Sequence, residues 1–103
     1  MISDTTLERL RRQARLPDAP AAVASLIEPL LLEIAGPGAE PVSLTLDYGP
    51  TASPGAAVVV EAAVERATRT LIFAHGRLLT PEGAVLAVAS ALFRRSLETS
   101  KAV

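Results

Sequence analysis

Residues 41–95 read PVSLTLDYGPTASPGAAVVVEAAVERATRTLIFAHGRLLTPEGAVLAVASALFRR, and the period of their apolar positions decides the fold. Val42, Leu44, Leu46 and Tyr48 alternate with Ser43, Thr45 and Asp47, the two-residue period of a strand with one buried face. Gly49, Pro50, Ser53, Pro54 and Gly55 then make a loop. After it, Val58, Val60, Ala62 and Val64 alternate with Val59, Glu61, Ala63 and Glu65 in a second strand. Arg66 to Arg69 turn the chain into a third strand over Thr70 to Leu79. Thr80 to Gly83 turn it again into a fourth, from Ala84 to about Arg94. Connections this short join antiparallel neighbours, so the segment reads as a meander. The missing helical crossovers exclude a doubly wound parallel sheet.

Upstream the period lengthens. Val23, Ile27, Leu30, Leu31 and Ile34 recur at helical spacing and give a broad apolar face suited to lying on a sheet. Asp18 or a neighbour caps this helix, which runs from about Ala19 to Ala35, with Pro20 in its opening turn and Gly36, Pro37 and Gly38 at its end. Pro29 lies inside it and predicts a kink near Ser25 to Glu28. Before Pro17, Ser3 or Asp4 caps a shorter predicted helix from Thr5 to Ala14, with Leu7, Leu10 and Ala14 as its stripe. Arg9, Arg11 and Arg12 fall off that stripe and read as a solvated face. The expectation is one α+β domain over residues 1–103: an N-terminal helix in 1–17, a core helix in 18–36 and an antiparallel sheet of about four strands in 41–97.

Composition narrows the function classes. Half of the 103 residues are hydrophobic but only 3% are aromatic, so the core is built from Ala, Val and Leu. Ten Lys and Arg against eleven Asp and Glu leave the chain almost neutral, and Tyr48, Phe73 and Phe93 are not interleaved with basic residues, which argues against nucleic-acid binding. No cysteine is present, so disulfides and thiolate chemistry are excluded and a cytoplasmic protein is expected. The longest apolar stretch, Ala84 to Phe93, is about half a membrane span. A small domain buries little of its own surface, so self-association is expected. Phosphate loops, paired His and Glu on a helix and the exposed-serine elbow are all absent. His75 is the only histidine and reads as a structural or surface strand residue, and no metal or cofactor is expected.

With those residues read, the segment Pro41 to Arg95 resembles the sheet half of hotdog-fold acyl-CoA thioesterases of the phenylacetyl-CoA type. The likeness rests on the Pro-containing loop within Asp47 to Pro54, the Arg-containing turn Glu65 to Arg69, and the hairpin Glu82 to Ala87, in which an acid and a Gly lead to the last strand. It covers about half of the chain and consists of patterns of shape. Members of that family place a long helix before the sheet, opening with His-Gly-Gly and carrying an acidic residue about two turns later. Laid on this chain without gaps, His-Gly-Gly falls on Ala19, Pro20 and Ala21, and the acid on Glu28. The motif is replaced and the acid is kept. The family strand that precedes the helix is expected to be missing here.

The resemblance implies a homodimer or homotetramer acting on an acyl-CoA or related thioester. Thioester hydrolysis requires activation of water, or a carboxylate nucleophile, and a donor for the oxyanion. Glu28 matches the first role. A backbone N–H at Ala21 or Ala22 matches the second, since Pro20 has none to offer. Arg66 and Arg69 are candidates for the phosphates of coenzyme A, with Arg94 and Arg95 as weaker ones, while Glu33 reads as solvated. Loss of His-Gly-Gly leaves open a non-catalytic hotdog module that binds an acyl group or dimerises, and shared alternation alone leaves open a structural α+β domain.

Overall fold

The computed structural model describes residues 9–95. One helix, α1 (Ala22–Ala35), lies across a five-stranded antiparallel sheet of β1 (Arg9–Arg15), β2 (Ala39–Tyr48), β3 (Ala57–Ala67), β4 (Leu71–Leu79) and β5 (Val85–Arg95). The strand order is β1-β3-β4-β5-β2, so β1 and β2 form the two edges. The three strands after the Gly and Pro loop pair as consecutive neighbours, as their short turns require. β2 reaches β5 at the far side, with Leu46 opposite Ala89 and Leu44 opposite Ala91.

The two periods meet in the core. Ile27, Leu30, Leu31 and Ile34 of α1 are buried against Val58, Val60, Ala62 and Val64 of β3, Ile72, Ala74 and Leu78 of β4, and Ala87, Ala89, Ala91 and Phe93 of β5. Ile27 and Leu31 are fully excluded from water, each contributing about 1.5–3 kcal/mol by burial alone. The many alanines on β5 keep the layer thin, and Gly76 of β4 thins it further: a Cβ there would sit 3.1 Å from Ile27 Cγ2 and 3.1 Å from the Glu61 carbonyl oxygen.

The fold class is as expected, with three corrections. Over Arg9–Arg15 the chain is a strand and not a helix, paired with β3 so that Leu10 faces Ala62, Arg12 faces Val60 and Ala14 faces Val58. The rest of the predicted N-terminal helix, Thr5 to Glu8, lies outside the described residues. The strand count is therefore five, and the strand before the helix is present. Leu, Arg, Gln and Ala all favour helix locally, but the open edge of β3 offers a ladder of hydrogen bonds and a carboxylate for Arg11, and tertiary pairing overrides local preference. Lastly, α1 starts at Ala22, later than expected, without a side-chain cap; Asp18 does not cap it. Pro29 lies within one continuous helical element. At the other boundary the last strand ends at Arg95, and Ser96 and Leu97 lie outside the described residues. Among the described residues no helix is long and apolar enough to cross a membrane.

Candidate active site

The helix start is the first element of the site. Ala21 holds the left-handed conformation, φ 57° and ψ 33°, the only non-glycine residue to do so among the described residues. A Cβ is disfavoured there by about 1–2 kcal/mol, and glycine has no such cost. This is the position on which the second glycine of His-Gly-Gly falls, so the backbone shape that glycine normally serves is kept with an alanine. The first helical bond runs from Ser25 N–H to the Ala21 carbonyl at 2.9 Å. The amides of Ala22, Val23 and Ala24 precede it and bond to none of the described residues. They form the positive end of the helix dipole, where a developing oxyanion is stabilised.

Glu28 is exposed and forms no ion pair with any described residue. Helical spacing gives its direction. Arg12 on β1 makes a two-pronged contact with Glu33, Nη1 to Oε1 and Nη2 to Oε2, both at 3.0 Å, which fixes Glu33 on the β1 flank. At 100° per residue Glu28 and Leu32 fall on the opposite flank, turned towards β5 and the β2 edge. Beside them, β2 carries Leu44 and Tyr48 on the helix side of the sheet, 38% and 65% exposed, and Leu32 itself is 38% exposed. The candidate acid thus lies beside an uncovered apolar edge, and the candidate oxyanion donors stand at the start of the same helix. Along the axis they stand about 10 Å apart, seven residues at 1.5 Å each.

Arg66 and Arg69 lie elsewhere. The hairpin between β3 and β4 is tied by Thr68, whose N–H donates to the Leu71 carbonyl at 2.7 Å and whose Oγ1 accepts from Leu71 N–H at 3.0 Å. The chain leaves α1 at this same end of the sheet, where Ala39 opposes Arg95 and Arg95 N–H donates to Thr70 O. The helix start is at the other end. A register shift between Val64 and Arg66 sets Arg66 beside Phe73, its guanidinium 5.7 Å from the ring centre, on the sheet face away from the helix. Arg94 approaches Glu40 at 3.6 Å. Within one chain, Glu28 and Ala21 belong to one helix and its start, and Arg66 and Arg69 are not brought to them.

The face of the sheet away from α1 holds a group that the sequence reading passed over. Glu61 on β3 accepts from Arg11 on β1 and, at 2.7 Å, from Arg77 on β4. These two bonds, the Arg77 one foremost, hold the Glu61 carboxyl below its ordinary range, and the Arg12 contact does the same for Glu33 and raises Arg12. His75 and Arg9 join Arg11, Glu61 and Arg77 around a cleft of about 410 Å³. The signal was available: read at period two instead of 3.6, Arg9 and Arg11 share a face. Among the described residues no cluster of side chains is arranged to hold a metal ion.

No family model matches the sequence, and no curated protein matches it significantly. Solved structures do match. A zebrafish thioesterase superfamily member 2 aligns over 85% of this chain and 75% of its own at 16% identity, with a TM-score of 0.77. A mutant of the phenylacetic acid degradation protein PaaI from Thermus thermophilus aligns over 85% of both chains at 17% identity and a TM-score of 0.73. A hypothetical thioesterase from Streptococcus pneumoniae, solved with coenzyme A, aligns over 85% of this chain and 84% of its own at 10% identity and a TM-score of 0.72. The helix and its five strands in the order β1-β3-β4-β5-β2 are thus the hotdog fold of these thioesterase-superfamily structures.

Proposed function

We propose that this chain is a single-domain, cytoplasmic hotdog protein that hydrolyses an acyl or aryl thioester of coenzyme A as a homodimer. The observation that carries the reading is the build of α1: an exposed carboxylate on its flank towards the uncovered β2 edge and a set of unbonded amides at its start, in a fold whose solved examples include thioesterases, one of them with coenzyme A. In the proposed reaction Glu28 takes a proton from water, which attacks the thioester carbonyl carbon. The carbonyl electrons move to oxygen, where the amides of Ala21 and Ala22 donate. Collapse of that intermediate breaks the C–S bond, the proton held by Glu28 passes to the departing sulfur, and the acid and the thiol leave.

Both groups must lie within about 3 Å of the reacting centre or its water, and about 10 Å along one helix is too far for one copy to supply both. A two-fold partner, pairing its β2 with this β2 in antiparallel fashion, satisfies the open edge and lets the donors of one copy face the carboxylate of the other. The same operation sets the partner's hairpin with Arg66 and Arg69 at the same end of the joined sheet as this copy's helix start, Arg66 on the face opposite the helices, and Arg69 is the one we assign to the phosphates of the carrier.

A second reading is favoured by one observation. Ala19 and Pro20 stand where a histidine and a glycine would open the helix, and Pro20 brings no N–H. On that reading the chain binds an acyl group or dimerises without turnover. Release of free thiol from a panel of acyl-CoA and aryl-CoA thioesters decides between them. The enzyme reading expects turnover that Glu28→Gln reduces by about a hundredfold or more while the fold is unchanged. No turnover of any thioester by the unaltered protein would leave only the binding reading.

A further inference from the structure

We propose that the cleft on the sheet face away from α1 is an anion site that takes the phosphate of a phosphorylated small molecule. It is lined by Arg9, Arg11, Glu61, His75 and Arg77, so three guanidiniums and the chain's only imidazole surround one carboxylate. Glu61 forms the floor, its side chain 23% exposed, and each of its two oxygens accepts from a different arginine, one from β1 and one from β4. Each arginine uses one nitrogen on Glu61, and the side chains of Arg11 and Arg77 remain 64% and 45% exposed. The carboxylate thereby holds two guanidiniums in fixed positions with donors to spare, the arrangement that suits a tetrahedral oxyanion.

Charge supports the assignment. One carboxylate does not neutralise three arginines, and Arg9 pairs with no carboxylate among the described residues. Outside the lining, Glu65 approaches His75 Nδ1 at 3.5 Å; that nitrogen is shielded from solvent and lacks a hydrogen-bond partner. Size and lining define the ligand further. A volume of about 410 Å³ exceeds what inorganic phosphate fills, and no Phe, Tyr or Trp lines the cleft. Ala63, on the same open face, leaves room for a short aliphatic body. The site is on the opposite face from Glu28 and stands independently of the thioesterase reading.

The test is a titration of the full chain with pyrophosphate, and with chloride at matched ionic strength, followed by backbone amide NMR shifts. Saturable shifts at Arg9 to Arg11, Glu61 to Ala63 and His75 to Arg77 with pyrophosphate alone are expected. Arg9→Gln should weaken binding about fivefold to tenfold by removing one charged contact. Glu61→Gln should tighten it several-fold by removing the opposing charge, and Arg15→Gln, at the far end of β1 and outside the cleft, should leave it unchanged. Arg9→Gln breaks no ion pair among the described residues, so it tests the site even if Glu61→Gln fails to fold. Shifts with chloride alone, no saturable shifts, or binding lost in Arg15→Gln and intact in Arg9→Gln would overturn the proposal.

Discussion

The two edges of the sheet are finished in opposite ways. At β1 most side chains engage something within the chain: Arg11 reaches Glu61 across the open face, Arg12 clasps Glu33 on the helix side, and Leu10 and Ala14 pack on the core. At β2 the pattern is exposed almost from end to end, with Val42, Leu44 and Tyr48 uncovered and only Ala39 and Leu46 packed against the core. An edge strand is a template for further pairing unless charge or covering elements block it. β1 is blocked by its arginines, while β2 carries apolar side chains on a long unpaired ladder, blunted only by Pro41 and the register shift beside it. The proposed dimer uses the second of these edges, the one on the flank of Glu28.

Leu44→Lys attacks that contrast at its strongest point. A charge near the proposed two-fold axis should raise the dissociation constant of self-association about a hundredfold, about 2.7 kcal/mol, in sedimentation. The same change at an edge that is already finished would do little, so Gln13→Lys on β1 is the matched control. A protein that sediments as a monomer at every concentration removes the contrast altogether. At the helix start, Ala21→Gly should stabilise the fold by about 1 kcal/mol in urea unfolding, because glycine relieves the left-handed strain but is freer in the unfolded chain. Lower stability would mean that Ala21 does not hold that conformation in solution.

The smallest effect belongs to the β1 edge. Glu61 and Glu33 have lowered carboxyl values in the folded chain because arginines donate to them, and in the unfolded chain they return to about 4.3. Their contribution is therefore complete above about pH 4.3 and is lost as pH falls through the lowered folded values. Amide exchange in β1 should accelerate in that acid range before exchange in β4 does. Glu61→Gln should remove most of the pH dependence while lowering Tm by about 3 °C at neutral pH. Simultaneous loosening of β1 and β4 would show that the ion pairs do not hold the edge.

Much of this architecture was legible because burial imposes period. Val58 to Val64 could alternate only as a strand beneath a helix, and Ile27, Leu31 and Ile34 could cover it only at helical spacing. Arg9–Arg15 was not legible, because a strand fixed by ion pairs across 21 and 50 residues carries no local apolar signal. The helix start was misplaced for a related reason: Asp18 offered a side-chain cap, and the chain instead turns through the backbone of Ala21. Glu28 could be picked out by resemblance, but its flank followed only once Arg12 had located Glu33. The open-face cleft gathers residues from β1, β3 and β4, and its assembly depended on the one strand that was misread.

Gly76 acts as a detent for the helix. Ile27 rests where a β-carbon is missing, and the residues that share this face of β4 on either side, Ala74 and Leu78, both fill that space. A slide of α1 by one strand repeat would drive Ile27 into a side chain, so the helix has one seat along β4 and no gradual path out of it. The height of Glu28 above the sheet is therefore set from beneath by a residue that never meets solvent or substrate. The reactivity proposed for that carboxylate becomes a question of tolerance, in the machinist's sense, at a position where a methyl group would crowd both its neighbours.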